Sequence, residues 1–369
     1  MQEKRIYLDF NATTPIAAEV AAAMRQALAE PFGNPSSEHW AGLPARQAVE
    51  KARIQAAELL HCNSDEVVFT SGGSESNNHA LKGVFFAKDV RGGHIITTQV
   101  EHPAVLNPCR FLERLGASVT YLPVDCFGRV DPDDVRRALT PRTILISVMQ
   151  ANNEVGTLQP ISEIARIASE RGILSHTDAA QSAGKIPVRV DELGVDLLSL
   201  AGHKLYAPKG VGVLYVRKGV CLEPLIHGAG HESGRRAGTE NILLNVGLGA
   251  ACELAQPWVG AESIRQLRDL MWELLQTRFG KRVVLNGHPT ERLPNTLNVS
   301  FVGRIGSTIL SGLKGVAAST GSACHSGSVD LSPVLKAMQV PPEIGMGAIR
   351  FSLGRTTTRE EIEQVVSRI

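Results

Sequence analysis

Cysteine is scarce in this chain, and none of it falls in a closely spaced pair. The six cysteines, at 62, 109, 126, 221, 252 and 324, form no Cys-x-x-Cys motif and no cluster that would ligate a metal, so no metal is expected. In a chain of 369 residues that usage excludes a disulfide framework and suits reduced thiols, so a cytoplasmic location is expected. Long apolar runs are missing as well, and no stretch approaches the roughly 18 residues of a membrane span. Met1 to Phe10 carries Glu3, Lys4 and Arg5 and then reads as a strand, with no apolar segment behind it to make a secretory leader. Charge of one sign is also lacking. The 38 basic and 37 acidic residues leave a formal net charge of +1, so no global field would recruit nucleic acid or an acidic membrane.

What is present is an ordinary globular composition, 43% hydrophobic and 20% charged. Helical periodicity alternates with short β-branched runs. Helices are expected at Ala17 to Glu30, Leu43 to Leu60, from about Glu75, at Pro103 to Leu115 and at Ile161 to Arg171. Strands are expected at Val67 to Phe69, His94 to Thr98, Ser118 to Val124, Thr143 to Met149, Ile173 to Thr177, Asp196 to Leu200 and Gly212 to Val216. Apolar strands alternating with helices predict an α/β fold with a mostly parallel central sheet covered on both faces. After about Trp258 the regularity fades into a helix (Ser263 to Thr277), strands (Lys281 to Leu285, Asn295 to Phe301) and two closing helices. The expected division is a large domain over 15–257 and a smaller α+β domain formed by 1–14 with 258–369.

Ligands of open α/β sheets sit at the carboxyl ends of the strands. Five strands deliver polar clusters to that edge: Ser71-Gly72-Gly73-Ser74, Glu101-His102, Asn152-Asn153-Glu154, Asp178-Ala179-Ala180-Gln181 and Gly202-His203-Lys204. A core explanation covers any one of them and covers all five poorly. The Ser71 to Ser74 turn, at a helix start, would suit a phosphate; it reads equally as a tight turn with Ser74 as N-cap. It matches neither a Walker loop nor Gly-x-Gly-x-x-Gly, which argues against nucleotides. A lone lysine such as Lys204 is ordinarily a solvated one, but Asp178 at another strand end alters the balance. A Schiff-base lysine paired with an acid for a pyridinium nitrogen is what pyridoxal phosphate requires. Helix capping by Asp178 is the other reading, and spacing does not separate them.

Cys324 lies in a run of small and polar residues from Ser319 to Ser328, a poor place to bury a thiol and a good one to present it. His325 beside it would favour thiolate. Nucleophile and quiet thiol both stay open at this point. Arg350, in the strand-like Ala348 to Leu353, wants an anion; a substrate carboxylate and a structural ion pair both meet that need.

With these residues assembled, the chain resembles the cysteine desulfurases, class V aminotransferase enzymes with the type I pyridoxal-phosphate fold. The resemblance runs from Tyr7-Leu8-Asp9 to Arg359. It is carried by Leu8 to Pro15, Gly33-Asn34-Pro35-Ser36, Phe69 to Asn77, Val100-Glu101-His102, Asn152 to Gly156, His176 to Gln181, Gly202-His203-Lys204, Arg236 to Thr239, Gly321 to Cys324 and Ile349 to Arg355. It implies pyridoxal 5'-phosphate on Lys204, with Asp178 at the pyridine nitrogen, Gln181 at the ring hydroxyl and His102 stacked on the ring and moving protons. Gly73, Ser74 and His203 would hold the phosphate, joined by Thr239 from the partner subunit of a homodimer. Asn153 and Arg350 would grip the carboxylate of L-cysteine. Cys324 would take the sulfur as a persulfide for an acceptor protein, whether an iron–sulfur scaffold or another.

Two departures stand out. A serine usually occupies the position of Ala201, where it is a phosphate ligand. The segments around Cys324, Asn153 and Asp178 are also similar to selenocysteine lyase, which acts on L-selenocysteine and is the alternative reading.

Overall fold

The computed structural model describes residues 5–88, 92–320, 324–325 and 328–369, with backbone alone at 324–325 and 328–329. A central sheet holds seven strands: β2 (Val67–Thr70), β3 (His94–Thr98), β4 (Ser118–Leu122), β5 (Thr143–Ser147), β6 (Leu174–Asp178), β7 (Leu197–Ala201) and β8 (Gly212–Val216). Their order is β2-β8-β7-β6-β5-β3-β4. Only β8 runs against its neighbours, pairing antiparallel with β2 and β7, and the remaining pairs are parallel. The carboxyl ends of β2, β3, β5, β6 and β7 therefore share one edge, as expected from sequence.

Period-two alternation explains why both faces are covered. Val67, Phe69, Ile96, Ile146, Leu198 and Val213 enter one apolar cluster, while Val68, Ile95, Leu145, Leu197 and Leu214 enter another. The first cluster packs against α2 (Gly42–Leu60), α6 (Ile161–Ser169) and α8 (Ile242–Ala255), and the second against α3 (Gly73–Ala87) and α4 (Pro103–Glu113). Between α1 (Ala18–Ala29) and α2 lies α8, a helix whose run Ile242-Leu243-Leu244 and small residues give no polar stripe to read from sequence. Close approach demands that smallness. A Cβ on Gly249 would sit 2.6 Å from the Ala52 Cα. Short helices α5 (Pro132–Ala138) and α7 (Val190–Leu193) fill connections.

A separate apolar cluster forms around an antiparallel sheet of β9 (Val283–Asn286), β10 (Thr296–Phe301) and β14 (Ala348–Ser352). Met271 and Leu275 of α9 (Glu262–Phe279) and Ile362 and Val365 of α13 (Arg359–Arg368) cover it, joined by Ile6 and Leu8 from the chain start. There β1 (Ile6–Tyr7) pairs in parallel with β11 (Val316–Ala317). Short α10 (Gly306–Gly312), α11 (Pro333–Ala337) and α12 (Pro342–Gly345) stand where two closing helices were expected, with α13 last. Between β11 and α11 the backbone of β12 (Cys324–His325) pairs antiparallel with β13 (Ser328–Val329).

Candidate active site

The shared sheet edge opens into a cavity of about 570 Å³. Lys204, His102, Asp178, Gln181, Gly73, Ser74, His203, Asn153 and Arg350 all line it. Thr239 does not, and is exposed on the loop after residues His231–Gly234. The Cys324 side chain lies outside the described residues.

One wall is the start of α3. Gly72 is its N-cap with φ 148°, a backbone angle that side chains disfavour, and it gives no side-chain cap. The first-turn N–H groups thus have no intrahelical acceptor and make a cradle for an anion. The helix begins at Gly73, two residues earlier than sequence periodicity suggested, because the glycine turn supplies the entry. A Cβ on Gly73 would lie 3.2 Å from the Ala201 Cβ, so the cradle is already narrow there. Glu75 ties it to a distant loop, accepting from Ser71 N–H at 2.8 Å and from Arg236 Nε at 2.9 Å.

At the end of β6, Asp178 Oδ2 accepts from Asn77 Nδ2 at 2.7 Å and Oδ1 from Ala180 N–H at 2.9 Å. These bonds aim a nearly buried carboxylate at the cavity floor. Helix capping is not its role, since Asp178 is a strand residue followed by irregular turns.

Across the cavity, Lys204 sits in a 3-10 turn after β7. Its Nζ donates to the carbonyls of Asn11 and Ala12 at 2.6 and 2.7 Å. Burial, and secondarily Arg350, push its pKa down from 10.5 to about 8, against the pull of Asp9 and Asp178. His203 Nδ1 meets Thr13 Oγ1 at 3.2 Å, and burial with nearby lysines holds its pKa down near 4, so the ring is neutral.

His102 opens α4, and its Nδ1 accepts from Ala104 N–H at 3.1 Å. The neutral ring therefore carries its proton on Nε2. Burial lowers its pKa, partly opposed by Asp178 and assisted by Lys204. Behind it the Glu101 carboxyl, raised to about 8 by burial, accepts from Met149 N–H and Thr98 Oγ1 and fixes the turn.

Gln181 Nε2 donates to the Asn11 carbonyl at 3.0 Å while its Oε1 accepts from Lys185 Nζ at 3.0 Å. Arg350, on β14, donates from Nη1 to the Asn153 carbonyl at 2.9 Å and from Nη2 to Asp9 Oδ1 at 2.8 Å. A lysine of lowered pKa, a carboxylate opposite, a helix N-terminus and an arginine around one cavity match the parts of pyridoxal phosphate and an amino acid. Sequence reasoning gave no role to Asn11, Asn77 or Lys185. Asn77 stood inside the quoted Phe69 to Asn77 motif, one helical turn after Ser74, which was its available signal.

Comparison with known proteins gives the family. Residues 6–365 match the family model described as aminotransferase class V. A cysteine desulfurase IscS of Dictyoglomus turgidum is 53% identical over 98% of this chain and 92% of its own length. The IscS of Methanosarcina thermophila is 50% identical over 99% of this chain and 91% of its own. Among solved structures, a NifS-like protein superposes with TM-score 0.91 at 39% identity, covering 98% of this chain and 97% of that one. A structure of SspA in complex with cysteine gives TM-score 0.85 at 39% identity over 94% of this chain and 98% of that one. The chain belongs to the class V aminotransferase family, and within it to the cysteine desulfurases.

Proposed function

We propose that the protein is a cysteine desulfurase that converts L-cysteine to L-alanine and passes the sulfur, as a persulfide on Cys324, to an acceptor protein. The observation that carries the reading is the convergence of Lys204, Asp178 and Arg350 on one cavity. When bound, pyridoxal phosphate supplies an electron sink conjugated to the substrate Cα.

The chain's own groups do the rest. Lys204 Nζ, with its lowered proton affinity, would hold the cofactor and serve as the base for the Cα proton. The Asp178 carboxylate would hold the pyridine nitrogen in its charged form. Gln181 would serve the ring hydroxyl, and His102 would pack against the ring. Gly73 and Ser74 N–H groups, with His203, would hold the phosphate. Ala201 contributes a methyl where a hydroxyl would add one more donor. Arg350 and Asn153 orient the carboxylate. The Cys324 thiolate attacks the substrate sulfur, forming an S–S bond as the C–S bond breaks; the Cβ that carried sulfur takes one proton and the Cα regains the one it gave up, which yields alanine. On this reading 15–257 binds the cofactor and the remainder presents Cys324.

A cytoplasmic homodimer completes the proposal, with Thr239 serving the partner's site. It is supported by the exposure of Phe32 (76%) and Trp40 (79%), whose rings pair at 6.2 Å on the surface. The experiment is a paired assay of L-cysteine and L-selenocysteine on wild type and Cys324→Ala. The variant should keep the bound cofactor and lose alanine and sulfide release from L-cysteine by orders of magnitude. Undiminished desulfuration would reject Cys324 as acceptor. A wild type active only on L-selenocysteine would move the assignment to the lyase.

A further inference from the structure

Arg350 is held from behind by a carboxylate that does not line the cavity. Asp9 Oδ1 accepts from Arg350 Nη2 at 2.8 Å and also from Ser319 Oγ at 2.9 Å. The pair is nearly enclosed, the two side chains being 10% and 17% exposed. The backbone fixes the same alignment a second time. Asp9 bridges in parallel to Ser352, two residues beyond Arg350, and Ser319 exchanges both backbone bonds with Arg350, at 3.2 and 2.7 Å. Asn153 takes the other guanidinium terminus through its carbonyl. Each terminal nitrogen carries a second N–H beyond the one spent on these anchors. Among the described residues, buried Arg350 Nε has no hydrogen-bond partner. The guanidinium is thus clamped at two points while further donors stay unspent, and it borders the cavity.

We propose that Asp9 is a positioning residue that sets the pose in which Arg350 receives the α-carboxylate of the substrate, with Ser319 as the third member of the clamp. The inference rests on the desulfurase reading for the identity of the substrate but requires only a carboxylate beside the bound cofactor. A flexible arginine loses rotamer freedom each time it grips an anion, and a clamped one has already lost it. Asp9 spends one oxygen on both partners, so removing its carboxylate releases the guanidinium and Ser319 together. Arginine orientation and the chain segment that leads toward Cys324 therefore share a single acceptor atom.

The test uses the cofactor-loaded protein with two ligands that differ by one group: L-alanine, and ethylamine, which is L-alanine without its carboxylate. Affinity is read from the change in cofactor absorbance. Asp9→Ala should weaken L-alanine by about tenfold to a hundredfold and leave ethylamine within about twofold, because only the carboxylate uses the clamped fork. Asp9→Asn, which retains an acceptor oxygen, should fall between, and Ser319→Ala should show a smaller loss in the same direction. Those two milder variants carry the test should Asp9→Ala not fold. Equal weakening of both ligands would mean a merely structural role and overturn the proposal. So would an unchanged L-alanine affinity, or a tighter one, which would make Asp9 a competitor of the carboxylate. Failure of the wild type to release alanine from L-cysteine would instead overturn the desulfurase reading, and the two-ligand comparison would still decide the role of Asp9.

Discussion

Capture of the cofactor by the cofactor-free protein should follow the ionisation of Lys204. Only the unprotonated amine attacks an aldehyde, and the pocket pushes its pKa from 10.5 to about 8. At pH 7 roughly one Lys204 in ten is then free, against roughly three in ten thousand for an unperturbed lysine, a gain of about 300-fold. The rate of covalent capture of added pyridoxal phosphate, followed by absorbance and by borohydride-fixed adduct mass, should rise with pH and level off with a midpoint near 8. Lys204→Ala should abolish the fixed adduct. Lys185, whose pKa is also drawn down, to about 7, by burial, Lys204 and Arg350, is the control. It does not line the cavity, so Lys185→Met should still form the adduct. The same shift touches stability. The unfolded chain binds the extra proton between about pH 8 and 10.5, so the cofactor-free protein should gain stability as pH rises through that window. A capture midpoint at 10 or above, a flat profile, or a fixed adduct surviving in Lys204→Ala would refute the reasoning.

Two further outcomes are expected. Light scattering should report a dimer, and a mass near the single chain's 39.6 kDa with full activity would exclude it. Glu232→Gln should lower the urea midpoint by an amount equivalent to about 3–5 kcal/mol. The Glu232 carboxylate receives Arg53 Nη1 and Nη2 at 2.7 and 3.0 Å and Phe69 N–H at 3.0 Å in the interior. A midpoint unchanged from wild type would show the pair to be dispensable.

The large sheet was legible because its signals are local. Alternating apolar residues and glycine turns at Gly72 and Gly202 each occupy a few consecutive positions, and five of the seven strands carried a polar cluster at one end. The clamp on Arg350 was not legible. Asp9 and Arg350 are 341 residues apart, and nothing in Leu8-Asp9-Phe10 states which distant cation it will meet. Asn77 was similarly opaque, since its bond to Asp178 joins a helix to a strand 101 residues later. Lys185 reads as one more basic residue until the fold places its Nζ between the amide oxygens of Asn11 and Gln181. The α8 helix escaped for the opposite reason. Buried among α1 and α2, it has no polar stripe to mark its period.

The chain start bears on how the site comes into being during synthesis. Asn11 accepts from both Lys204 and Gln181 through its carbonyl, while its own N–H is held by Ser352 Oγ at 2.9 Å across 341 positions. The residues around Asn11 therefore wait for Ser352. At about 5–20 residues per second that interval is on the order of 20 to 70 seconds. Once residue 216 is made the central sheet has all its strands, but the segment that shapes the lysine pocket still lacks its anchor. Cofactor loading in consequence waits for residue 352, and nascent chains stalled before it should carry a sheet without a working pocket.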